Sequence, residues 1–145
     1  MSETISQKKR LPLRPEAGFR IPDEHGAEPY LLASKCRNCG KHFFPARVIC
    51  LNCGKHEMEE VALDGRGKVY TYTIVRQQLP GALVQVPYAL AIIAMNEGCQ
   101  VQSVVTENCE SIDIGTEVEV YFEKVMEDAE GNDLIVYKFR SVKDR

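Results

Sequence analysis

The feature that most limits what this chain can fold into is a repeat of seven residues. Cys36-Arg37-Asn38-Cys39-Gly40-Lys41-His42 returns fourteen residues later as Cys50-Leu51-Asn52-Cys53-Gly54-Lys55-His56, and only the Arg37/Leu51 pair differs. Two cysteines three positions apart can share one metal ion only if the backbone turns into a tight knuckle. The glycine after the second cysteine supplies the positive φ of that turn. Two facing knuckles bring four thiolates into a tetrahedron, the arrangement of structural Zn²⁺. Cys36, Cys39, Cys50 and Cys53 are therefore the expected metal ligands. The ten residues between the pairs suffice for a short hairpin or loop. Four Cys ligands leave no open position for water or substrate, so the expected zinc is structural and not catalytic. Iron on the same four ligands stays open as an alternative. His42 and His56, beside the knuckles, read as solvated loop histidines.

A thiol site fits the compartment that the rest of the chain implies. The longest apolar run, Tyr88 to Met95, is far short of the ~18 residues that cross a bilayer. No apolar stretch follows the basic Lys8-Lys9-Arg10, so no secretory signal is expected and the expected location is cytoplasmic, without membrane contact. Thiols stay reduced there, and six cysteines point to a metal before disulfides. With 145 residues, 44% apolar and 27% charged, the chain is one average globular domain, or two small ones sharing a core.

Net charge is −3, but the charges are segregated. Lys35, Arg37, Lys41, Arg47 and Lys55 lie between Lys35 and His56 with no acid among them. From Glu107 to Asp133 ten acidic residues stand against one lysine, Lys124, a net of −9. The cations offset the formal −2 of a zinc tetrathiolate. The acids alternate along strands or crowd turns, which reads as a solvated face and opposes a phosphate backbone.

Past the knuckles the pattern turns to strands. Val69–Val75 is dense in β-branched and aromatic residues. Tyr88–Met95, Gln100–Thr106, Glu117–Val125 and Leu134–Val142 follow, with hairpin turns at Asn96-Glu97-Gly98 and Glu130-Gly131-Asn132. No helical stripe appears after residue 60. Five antiparallel strands with such short connections favour a closed barrel of the OB type, since closure removes sheet edges; an open sandwich is the alternative. The fold class is thus mainly β, divided into an extended N-terminal arm (1–33), a zinc ribbon (34–60) and a five-stranded barrel (61–145).

Two segments stand outside that scheme. The connection 77–87 holds Leu79, Leu83, Val84 and Val86 along with two prolines and a glycine, more apolar surface than a free loop gains by showing. It either tucks against the barrel or meets a partner or acyl chain. The arm has four of the seven prolines, Pro12, Pro15, Pro22 and Pro29, and reads as a segment that wraps another subunit or frays. Catalytic equipment is thin. There is no Gly-x-Ser-x-Gly elbow, P-loop or dinucleotide fingerprint, and Cys99 reads as a small core residue.

The two Cys-x-x-Cys-Gly knuckles with Phe44-Pro45-Ala46-Arg47 between them resemble the rubredoxin-like zinc ribbon of the DUF35 family, in which an OB-fold follows the ribbon. Gly65-Arg66-Gly67-Lys68-Val69-Tyr70-Thr71-Tyr72-Thr73 resembles its first barrel strand, Pro87-Tyr88-Ala89-Leu90-Ala91-Ile92 its second, and Ile114-Gly115-Thr116-Glu117-Val118 the start of its fourth. The short chain is also similar to the zinc-finger subunit of a benzoylsuccinyl-CoA-type thiolase. The resemblance implies a non-catalytic accessory subunit in a hetero-oligomer with a thiolase-like catalytic subunit, helping to complete a CoA or acyl-CoA site. Arg37, Lys41, Arg47 and Lys55 are then candidates for CoA phosphates or an acidic partner, and Leu79, Leu83, Val84 and Val86 for the partner or the pantetheine arm. Family members commonly carry an amphipathic helix before the ribbon, for which the prolines of 12–29 leave little room.

Two other readings remain. A single-stranded nucleic-acid module would stack bases on Tyr70, Tyr72 and Tyr88, against the cost of the acidic segment. A stand-alone acyl-CoA-binding protein or thioesterase is the third.

Overall fold

The computed structural model describes residues 9–13, 18–22 and 28–142. Its strands are β1 (Arg10–Pro12), β2 (Phe19–Arg20), β3 (Tyr30–Cys36), β4 (His42–Phe43), β5 (Met58–Ala62), β6 (Arg66–Val75), β7 (Tyr88–Met95), β8 (Gln100–Val105), β9 (Glu117–Glu127) and β10 (Asp133–Ser141). Among the described residues there is no α-helix, only a 3₁₀ turn at Cys109–Ser111.

The expected barrel is present. β6 to β10 run in the order β9-β6-β7-β8-β10, and β10 returns to pair with β9. Alternation explains the closure: Ala89, Ala91, Ile93 and Met95 of β7 and Val101 and Val105 of β8 point inward and are buried. Phe139 of β10, wholly buried, is the largest side chain in that interior. β10 carries most of the connections. It pairs antiparallel with β9 over its whole length, parallel with β8 at Phe139↔Val105, and parallel with β1 from Asp133 to Ile135. The first barrel strand starts at Arg66, earlier than the β-branched run at Val69 suggests, because Arg66–Lys68 pair with β9 and close the barrel. There Gly67 is required by space: a Cβ would sit 2.5 Å from the Ala94 carbonyl oxygen and 2.9 Å from Ile93 Cγ2.

The ribbon is built on β3, which pairs antiparallel with β2, β4 and β5. It shares a core with the barrel: Phe19, Leu31 and Ala33 lie in one buried cluster with Val69, Ile93 and Phe139. Aromatic rings seal the junction. Phe19 lies 5.2 Å from Phe122 and 5.8 Å from Tyr137 between ring centroids, and Phe44 lies 6.3 Å from Tyr137. Edge-to-face and tilted pairs at such spacings contribute about 0.5–1.5 kcal/mol each beyond burial.

Pro12 lies in β1 and Pro22 follows β2, both strands too short to show any period. The rest of the arm, 1–8, 14–17 and 23–27, lies outside the described residues, and the fraying expected of Met1–Arg10 falls largely there. The acidic segment is solvated as expected at Glu107, Asp113, Glu117 and Glu130, but part of it is also tied into ion pairs. Of its acids, Glu110 pairs with Arg76 at 2.8 Å, Glu119 with Arg66 and Arg140 at 3.5 and 3.1 Å, and Glu123 with Lys138 at 2.9 Å. Lys124 joins Glu127 at 2.7 Å and Asp133 at 3.3 Å. Lys138 is only 7% exposed. The face is cross-linked by cations brought from other strands, because β9 lies between β6 and β10 and meets their arginines and lysines.

Candidate metal centre

Each knuckle closes in the same way. Cys36 N–H donates to the Lys41 carbonyl at 2.9 Å and Gly40 N–H to the Cys36 carbonyl at 2.8 Å; Cys50 N–H donates to Lys55 at 3.0 Å and Gly54 N–H to Cys50 at 2.8 Å. Gly40 and Gly54 both have φ +80 with open space around them, so backbone conformation alone demands glycine. The knuckles face each other. All four Sγ atoms lie within 4.8 Å of one another, with Cys36–Cys53 and Cys39–Cys50 both at 3.6 Å. A tetrahedral Zn²⁺ with Zn–S bonds of about 2.3 Å needs sulfur–sulfur edges of about 3.8 Å. The cage fits the ion. Bound there, zinc supplies a cross-link whose binding free energy becomes folding free energy.

Local hydrogen bonds prepare the sulfurs. The Lys41 backbone N–H and the Asn52 amide hold the Cys39 thiol down to about 6. The Lys55 backbone N–H and the Asn38 amide lower Cys53 in the same way. At Cys36 the Cys39 backbone N–H pulls downward, but burial and the neighbouring Cys53 and Cys39 thiols outweigh it and push the group up to about 11. Cys36 and Cys50 are buried and Cys39 and Cys53 exposed. The outer pair therefore favours thiolate, and the inner Cys36 gives up its proton to an arriving cation.

Behind the knuckles, the buried Ser34 hydroxyl accepts Arg47 N–H at 2.9 Å and anchors the connection between them. His42 is half-buried on β4 opposite Lys35, not in a loop, whereas His56 is exposed. Arg37 lies 3.5 Å from Glu59. Lys41, Arg47 and Lys55 are exposed and have no ion pair among the described residues. The cations and the 77–87 connection lie on different units, the ribbon and the barrel. In that connection the Gln78 amide donates to the Val84 carbonyl at 3.2 Å and accepts Val86 N–H at 3.0 Å. So braced, it half-buries Val84 and Val86 and leaves Leu79 and Leu83 exposed.

Residues 23–59 match the "ChsH2, rubredoxin-like zinc ribbon domain" and residues 60–123 the "ChsH2, C-terminal OB-fold domain". A DUF35 domain-containing scaffold protein of Methanocaldococcus jannaschii is 38% identical, over 83% of this chain and 88% of that protein. The chain belongs to the DUF35 family. This DUF35 chain is also 31% identical to the benzoylsuccinyl-CoA thiolase subunit BbsA of Thauera aromatica, over 98% of this chain and 100% of that subunit. Among solved structures it resembles the Ltp2-ChsH2(DUF35) aldolase, with a TM-score of 0.63 and 25% identity, covering 77% of this chain and 84% of that one.

Some of the DUF35 chain's site features escape local reading. Asn38 donates its amide to Cys53 Sγ, and Asn52 donates to Cys39 Sγ, both at 3.6 Å. Each knuckle thus reaches across to the other's second cysteine. The signal was the recurrence of Asn in the repeat. A cavity of about 370 Å³ opens between ribbon and barrel, lined by Phe44, Pro45, Ile92, Gln100, Gln102 and Tyr137; nothing local predicts it, because Phe44 and Tyr137 are far apart in sequence. The three candidate stacking tyrosines do not form one row. Tyr70 is exposed at a bulge in β6, whereas Tyr72 packs against the core. Cys99 sits in the turn before β8, and burial, reinforced by Glu97, pushes its thiol up to about 11. That suits a core residue and opposes a nucleophile.

Proposed function

We propose that this chain is a non-catalytic accessory subunit of a thiolase-type acyl-CoA enzyme complex. The zinc-held ribbon serves as a rigid docking element and the barrel helps complete the CoA or acyl-CoA site at the subunit interface. The observation that carries the reading is the likeness to a benzoylsuccinyl-CoA thiolase subunit over nearly the full length of both chains. Named DUF35 scaffold proteins support it. The Gln78-braced connection also supports it, since Leu79 and Leu83 are held out in solvent by hydrogen bonds that serve no core. In this proposal Leu79 and Leu83, with the half-buried Val84 and Val86 beneath them, give apolar contact to the catalytic subunit or the pantetheine arm. Arg37, Lys41, Arg47 and Lys55 attract CoA phosphates or an acidic partner surface. In the partner, a cysteine thiolate attacks the 3-oxo carbon of a 3-oxoacyl-CoA, the C2–C3 bond breaks and the shortened CoA thioester leaves with a proton at C2, and free CoA then takes the acyl group from the cysteine and restores its thiol.

The test is co-purification with activity. The chain and a thiolase-type subunit are expected to elute together from the native source, and stripping the chain away is expected to lower thiolysis. Separate elution with a thiolase fully active alone would sink the proposal.

A further inference from the structure

The one mismatch in the repeat changes what each knuckle presents. At the first, Arg37 lies against Glu59. At the second, the equivalent Leu51 stands in solvent with its neighbours: Val48 is 78% exposed, Ile49 40% and Leu51 64%. Single exposed aliphatics are ordinary. Three within four residues, on a turn fixed by metal ligands, contribute little to the ribbon's own core. Arg47 precedes them, Lys55 is tied to Cys50 through its backbone carbonyl, and Lys41 sits on the opposed knuckle. An apolar centre with a charged rim is how a protein interface is composed.

We infer that the second knuckle is a docking tip, Val48, Ile49 and Leu51 ringed by Lys41, Arg47 and Lys55, for a protein surface with an apolar recess bordered by carboxylates. The inference rests on the proposed function, in which that surface belongs to the catalytic subunit. Charge matching selects the occupant. No acid lies between Lys35 and His56, so the rim repels a second ribbon like itself. A phosphate ligand would engage the cations and leave the aliphatic centre in water.

The test uses the full zinc-loaded chain and the thiolase-type subunit stripped from the native complex, with binding followed by interferometry across a salt series. Leu51→Arg makes the two knuckles alike and is tolerated by the same turn at Arg37; Val48→Glu is the second tip variant. Each is expected to weaken binding about tenfold or more, as loss of a central anchor does. The triple variant Lys41→Glu/Arg47→Glu/Lys55→Glu is expected to slow association and flatten its salt dependence. Ile114→Glu, an exposed aliphatic between β8 and β9, is expected to bind as wild type. Metal analysis checks that each variant holds one zinc. Wild-type affinity in both tip variants overturns the inference and leaves the accessory-subunit proposal standing. A wild-type chain that fails to bind the stripped subunit overturns both. A rim variant that loses only CoA or single-stranded DNA binding, with subunit binding intact, assigns the cations to phosphate and also overturns it.

Discussion

Removing the two asparagines that reach across the metal centre tests whether the knuckles lock each other. Asn38 and Asn52 each place an amide 3.6 Å from the opposite knuckle's outer sulfur, so the two bonds are equivalent and independent in partners. Groups that hydrogen-bond to metal ligands typically contribute about 10–100-fold to metal affinity. Both amides are open to water, which replaces part of the lost bond and places the effect at the lower end. Asn38→Ala and Asn52→Ala are each expected to weaken zinc by about tenfold, and the double variant by about a hundredfold. Asn52→Asp, which sets a carboxylate beside a dianionic cluster, is expected to cost more than Asn52→Ala. Competition with a chromophoric chelator measures the affinity, and the thiolate-to-metal absorption of the Co²⁺ form reports whether the tetrahedron is intact. Zinc affinity within twofold of wild type in the double variant would refute the cross-lock.

Other outcomes follow from the fold and its charges. Gly67→Ala is expected to destabilise the chain by about 1–3 kcal/mol through overpacking against the Ala94 carbonyl, read from the denaturant midpoint. Phe139→Ala, at a fully buried position, is expected to cost about 3–5 kcal/mol in the same assay. The hydrogen-bonded Arg76 holds the Glu110 carboxyl below the ordinary range. The pair's support is therefore present above the unfolded carboxylate pKa and is lost as pH falls through the lowered folded value. Arg76→Gln is expected to return Glu110 to the ordinary range in a carboxyl NMR titration, and an unmoved titration would count against the pair.

The parts of this chain that could be read in advance are those whose constraint is local. A Cys-x-x-Cys-Gly knuckle carries its ligands, its turn and its glycine within five residues, and β7 and β8 announce themselves as an apolar run and a Val-rich strand on either side of a tight turn. What stayed hidden depends on partners far along the chain. Glu119 looks like any outward acid on an alternating strand until Arg66 and Arg140 arrive from β6 and β10. β1 and β2 are three and two residues long, too short for any pattern, and exist because β10 and β3 offer unpaired edges. Tyr72 could be placed as a stacking platform only by missing the bulge at Tyr70 that resets which face β6 presents. The docking tip was hidden differently. Leu51 was visible as the repeat's exception, but its exposure depends on how the metal site holds the turn.

The ring cluster of Phe19, Phe44, Phe122 and Tyr137 makes the ribbon something other than a detachable finger. Its β3 backbone and the barrel's interior are one packed body, so a chain without its ion loses support at the seam as well as at the tip. On the proposed function, zinc supply is then expected to gate assembly: a starved chain is expected to fail as a whole and be open to proteolysis. It is not expected to persist as a bare barrel occupying a partner it cannot serve.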